Sequence, residues 1–102
     1  MNDKMEQMPD TNPLIEQNEI AGIDVDINEP AKVILFNDEV HTFEEVIFQI
    51  IKATGCAQTK AEALTWEVHH DGKAVVFQGE VVKCMRVSSV LEEIELSTQI
   101  EV

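Results

Sequence analysis

The chain changes character at Pro30, and that change limits how much of it can fold. Residues 1–30 carry eight acidic side chains, Asp3, Glu6, Asp10, Glu16, Glu19, Asp24, Asp26 and Glu29, against Lys4 as the single base, together with all three prolines. Apart from the short alternation Ile23, Val25, Ile27, this segment has no period. It therefore buries too little apolar surface to offset the entropy of ordering. Residues 1–30 are expected to form a disordered acidic extension, and residues 31–102 must supply the whole core.

With 102 residues, 44% of them apolar, the chain has material for one compact domain. The formal charge of -13, from 7 Lys+Arg against 20 Asp+Glu, repels nucleic acid and anionic lipid, so cationic or neutral partners are expected. No stretch reaches the roughly 20 apolar residues of a membrane span, and Met1 to Asp10 lacks the regions of a signal peptide. The expected location is cytoplasmic. In a reducing compartment Cys56 and Cys84 read as small apolar residues, too few and too far apart for a metal ribbon or a disulfide framework.

From Ala31 a β-branched run, Val33-Ile34-Leu35-Phe36, predicts a strand stopped by Asn37-Asp38. Thr42 and Glu45 fit a capping box for a first helix, with Phe43, Val46, Ile47, Ile50 and Ile51 at helical spacing and Gly55 as its stop. Thr59 and Glu62 repeat the capping signal for a second helix, whose apolar side holds Ala61, Leu64 and Val68 together with the polar Thr65. Asp71-Gly72 predicts a turn, Lys73 to Phe77 a strand broken by Gly79, and Val81, Cys84, Met85, Val87, Val90, Leu91 and Ile94 the apolar positions of a third helix. Leu96, Thr98, Ile100 and Val102 alternate with polar residues, the period of a strand with one wet face. The order βααβαβ predicts an α+β sandwich in which a three-stranded antiparallel sheet packs on three helices.

Among polar residues, Asn37 and Asp38 stand where a strand meets a loop, a position suited both to turn formation and to ligand contact. As an exposed loop carboxylate, Asp38 is expected to contribute little to folding. His69-His70 ends the second helix, where imidazole can cap the helix or bind metal. However, His41, His69, His70, Cys56 and Cys84 show none of the paired spacings of a zinc site. Ser88, Ser89 and Ser97 lack nucleophile-elbow glycines, and no glycine-rich phosphate loop is present, so neither an enzyme nor a cofactor is expected. Trp66 sits partly off the apolar face of its helix, as a rim residue or as a partner contact.

The segments Val33-Ile34-Leu35-Phe36-Asn37-Asp38-Glu39, Thr42-Phe43-Glu44-Glu45-Val46-Ile47 and Val68-His69-His70-Asp71-Gly72-Lys73-Ala74, in this order and spacing, resemble the Clp protease adaptor family, ClpS. The resemblance covers about residues 31–102 and is strongest up to Lys73. The shortened ending Leu96-Ser97-Thr98-Gln99-Ile100-Glu101 is similar to a variant branch. What it implies is a non-catalytic, monomeric adaptor that binds proteins bearing a bulky apolar N-terminal residue and delivers them to a hexameric AAA+ Clp unfoldase.

By position the resemblance assigns the substrate α-amine to Asn37, Asp38 and His69, and the first side chain to a pocket of Leu35, Phe43, Val46, Thr65, Val68 and Leu96. It also assigns unfoldase contact to Glu80 and Arg86 on the third helix, and delivery to the acidic extension, which could equally be a solubilising tail. Glu39 stands where Asp is usual, and Phe43 and Thr65 stand where Met is usual, which bears on side-chain preference. Two other readings share this topology: an adaptor-like domain serving a different partner, and an interaction module of the ribosomal-stalk type.

Overall fold

A computed structural model of the chain describes residues 30–102. The acidic segment expected to be disordered lies outside the described residues, apart from Pro30. Six elements follow one another: β1 (Ala31–Phe36), α1 (Phe43–Thr54), α2 (Gln58–Asp71), β2 (Lys73–Gly79), α3 (Val81–Glu92) and β3 (Thr98–Glu101). The expected α+β architecture of a three-stranded antiparallel sheet and three helices is the one observed.

The sheet order is β2-β1-β3, so the most apolar strand is the central one. Leu35 pairs with Ala74 on one side and Thr98 on the other. Ala31, Val33 and Leu35 all face the helices and are buried, as the period of two requires. The β1/β2 register shifts between Val33 and Ile34, where Val33 faces Phe77 and Ile34 faces Val75. Val76 is thus the extra residue of a bulge, and both Val76 and Phe77 reach the core.

Helix α1 begins as its sequence dictates. The Glu45 amide donates to Thr42 Oγ1 at 3.1 Å, the Thr42 amide donates to Glu45 Oε1 at 2.8 Å, and Gly55 ends the helix at φ 75°. The second capping signal fails. Helix α2 starts two residues earlier than a Thr59 cap would place it, at Gln58 behind Ala57, with no side-chain cap, and Glu62 instead accepts from Gln58 Nε2 at 3.0 Å. An (i, i+4) side-chain pair on the exposed first turn has displaced the box.

Two helical faces also depart from expectation. Met85 is exposed and Ser88 is buried, its hydroxyl 2.6 Å from Thr98 Oγ1. On α1 Ile50 is buried as expected, but the polar Gln49 is buried beside it, its amide donating to the Val90 carbonyl at 2.6 Å, while Phe48, off the expected apolar face, is 67% exposed. Helix α3 ends at Glu92, so Ile94 and Leu96 belong to the loop before β3, where Leu96 is nonetheless buried.

Candidate functional site

Three connections meet at one end of the sheet: residues 37–42 between β1 and α1, the turn at Gly72 between α2 and β2, and residues 93–97 between α3 and β3. Backbone bonds pin them together. The Asn37 amide donates to the Gly72 carbonyl at 2.9 Å, and the Phe36 amide donates to the Ser97 carbonyl at 3.0 Å. Gly72 can make this turn because it holds φ 89°, a conformation costly for a residue with a Cβ.

A pocket of 360 Å³ opens there, and its lining includes every residue assigned to the amine site and to the apolar pocket. Asn37 and Asp38 come from the β1–α1 loop, Phe43 and Val46 from α1, Thr65, Val68 and His69 from successive turns of α2, Leu35 from the central strand and Leu96 from the last loop. Thr65, Val68 and His69 meet at the pocket because residues three and four apart share a helix face. Phe36, Glu39, His41 and Thr42 also line it, and sequence reasoning assigned none of them to the site.

The floor is apolar despite Thr65. The Thr65 hydroxyl is buried and donates to the Ala61 carbonyl of its own helix at 2.8 Å. This satisfies the polar atom and leaves the methyl group for the pocket. At the rim, Phe43 stands edge-on to Trp66 with ring centroids 4.8 Å apart, and edge-on to His69 at 5.2 Å. Such T-shaped contacts order exposed rings. Trp66 remains 58% exposed beside the mouth.

Asp38 is not the free loop carboxylate expected from the sequence. Its Oδ1 accepts the amides of Val40 and His41 at 3.0 and 3.1 Å, and its Oδ2 lies 2.8 Å from His41 Nδ1. The turn-forming role of an Asp after a strand is therefore realised here. One acceptor direction of roughly four is left for another donor, so the turn role and ligand contact are compatible. Partial burial pushes the Asp38 carboxyl up, but the bonds from His41 and Val40 outweigh it and hold the group below its ordinary value.

His41 is raised chiefly by its bond to Asp38; burial opposes this, while the Ile94 carbonyl and the charges of Asp38 and Glu45 reinforce it. The signs set a stability window. A raised imidazole contributes fully below its unfolded value of 6.5 and loses that contribution as pH rises through its folded value. A lowered carboxyl contributes above 3.8 and loses that contribution as pH falls through its folded value. The thermal midpoint followed by circular dichroism should be highest between these limits, and His41→Gln should flatten the alkaline side.

His70 is exposed and 3.7 Å from Asp71, away from the pocket lining. Glu80, at the N-cap of α3, and Arg86 are both exposed and do not line the pocket. Among the described residues no three His, Cys, Asp or Glu side chains converge as a metal site would require, and no helix is long and apolar enough to cross a membrane.

Comparison with known proteins gives a consistent picture. The family model "ATP-dependent Clp protease adaptor protein ClpS" matches residues 26–99, beginning inside the segment assigned to the extension. The E3 ubiquitin-protein ligase UBR2 of Homo sapiens is 42% identical over 57 residues, which cover 56% of this chain and 3% of that protein. The Mus musculus protein of the same name is 40% identical over the same shares. The chain therefore corresponds to a small fraction of the length of these curated relatives. Among solved structures, Agrobacterium tumefaciens ClpS2 bound to L-phenylalaninamide superposes with a TM-score of 0.68 at 19% identity, covering 72% of this chain and 96% of that one.

The three-helix, three-stranded fold is thus the one seen in Agrobacterium tumefaciens ClpS2. The chain belongs to the ATP-dependent Clp protease adaptor family, ClpS.

Proposed function

We propose that this chain is a non-catalytic adaptor that captures proteins through a free N-terminal amine and a bulky apolar first side chain, and presents them to an ATP-dependent unfoldase. The observation that carries this reading is the convergence of Asn37, Asp38 and His69 on one pocket beside the apolar side chains of Leu35, Phe43, Val46, Val68 and Leu96. An ammonium group carries three donors, and an amide oxygen, a carboxylate and a neutral imidazole nitrogen are three acceptors. His69 serves as an acceptor only on a ring nitrogen that carries no proton. L-Phenylalaninamide, the ligand named with Agrobacterium ClpS2, has this chemistry: a free α-amine beside an aromatic side chain.

The test is fluorescence anisotropy with peptides differing only at residue one. Leu, Phe, Tyr or Trp should bind and Arg should not, and indifference to residue one would remove the apolar pocket from the account. The depth left by Thr65 predicts more. Thr65→Met adds volume to the floor and should weaken aromatic first residues by about tenfold while sparing Leu. An equal loss for all four would mean that Thr65 does not set the floor.

The partner surface is proposed at Glu80 and Arg86, with the acidic extension available to the unfoldase as a handle. A hexameric Clp unfoldase is the partner the family implies, for a monomeric, cytoplasmic adaptor. The match to UBR2 favours a second reading, in which the same amine-binding domain serves a ubiquitin ligase. Co-sedimentation with a Clp unfoldase, lost on Arg86→Glu, separates the two.

A further inference from the structure

His41 occupies a place that no assigned role explains. Its Nδ1 lies 2.8 Å from Asp38 Oδ2 and its Nε2 lies 2.6 Å from the Ile94 carbonyl oxygen. Both partners can only accept: one is an ionised carboxylate, the other a carbonyl. A neutral imidazole carries one N–H and would aim a lone pair at one of them. The contacts are therefore both satisfied only by the imidazolium, whose two N–H groups donate in opposite directions. The side chain is 13% exposed, so little water is at hand to relieve a mismatch.

These two bonds join the two chemically different halves of the pocket. Asp38 belongs to the loop that supplies the amine acceptors. Ile94 precedes Leu96, an apolar wall, by two residues, with Glu95 between them in the left-handed region at φ 66°. We propose that His41, doubly protonated, is the positioning residue of the pocket, a charged strut that fixes the distance and orientation of the amine-binding loop relative to the Leu96 wall. The inference rests on the amine-binding reading given above.

The charged groups around the strut favour its cation. Asp38 faces it directly and Glu45 of α1 acts on it through space. Of the acidic neighbours of Ile94, Glu93 is held by Lys52 Nζ at 2.9 Å and Glu95 flanks the turn. From α2, His69 shares the pocket. Loss of the proton leaves one lone pair facing an acceptor, so the residue 93–97 loop loses its tie and the wall drifts from the amine site. Affinity then falls on the alkaline side as His41 loses its second ring proton.

The experiment has two readouts on the full chain. The first is an NMR titration of His41 in the free protein. His41 should keep both ring protons above the ordinary imidazole value of 6.5, and titration at or below that value would overturn the strut. The second is the Kd of a Phe-first peptide for the wild type and for His41→Gln between about pH 6 and about 9. The titration of the peptide's own amine is common to both proteins and cancels in their ratio. His41→Gln should bind about tenfold more weakly at the acidic end, with the gap closing as pH rises. A constant ratio would overturn the positioning role. If neither protein prefers a free amine, the function proposed above fails, while the titration still decides the charge of His41.

Discussion

Leu35→Ala should lower the unfolding free energy by about 3 kcal/mol, within the range for a fully buried leucine. Leu35 has no exposed surface and sits on the central strand, paired with β2 on one side and β3 on the other. Neither neighbouring strand can collapse into the space without breaking its register, so the cavity persists. For a domain of this size the thermal midpoint should fall by more than about 10 °C. Leu35 also lines the pocket, so peptide binding at low temperature should weaken as well. Chemical denaturation checks the first effect and anisotropy below the transition the second. A loss under about 1 kcal/mol would mean that the floor of the pocket is not part of the core.

Asp38→Ala should lose peptide affinity by more than about 30-fold, the cost of removing the charged partner of an ammonium. It should also lower stability by about 1 kcal/mol. The second effect reverses the expectation drawn from sequence, because the carboxylate holds two loop amides and the His41 ring. Asp38→Asn separates the roles. The amide oxygen still accepts from the Val40 and His41 backbone amides, although the bond to the His41 ring is lost, so part of the stability should return while the affinity, which needs the charge, stays low. Equal recovery of both quantities would assign Asp38 to the turn alone. Denaturant titration and anisotropy on the same two variants decide it.

The apolar walls of the candidate site were legible because helical spacing and strand period place side chains without any knowledge of loops, whereas Asn37, Asp38 and His69 were assigned through the family resemblance. Thr65 and Val68 lie on one face of α2 by spacing, and Leu35 faces inward by alternation. The capping box at Thr42 was readable for the same reason, as a purely local contact. What sequence could not show depends on neighbours distant along the chain. His41 finds Ile94 across 53 residues, and Gln49 finds Val90 across 41. In both cases a polar side chain satisfies a carbonyl whose position only the tertiary fold sets. Thr59 and Glu62 had the right spacing for a cap, but Gln58 offered Glu62 a partner on the same exposed turn. Buried Ser88 was hidden for the reverse reason: its partner Thr98 comes from a strand that folds back over α3.

His41 does carry a sequence signal, three residues after an Asp in a loop that precedes a helix cap. That spacing suffices for a local ion pair, but the second bond, to Ile94, makes it a strut between loops.

The central claim is that a free α-amine is what Asn37, Asp38 and His69 recognise. The most direct measurement compares two peptides identical in sequence, one with a free N-terminus and a Phe first residue, the other acetylated at that amine. Acetylation removes the charge and two of the three donors while leaving the aromatic side chain in place, so the account predicts binding of the first peptide and loss of at least about 100-fold for the second. Equal affinity for the two would contradict it.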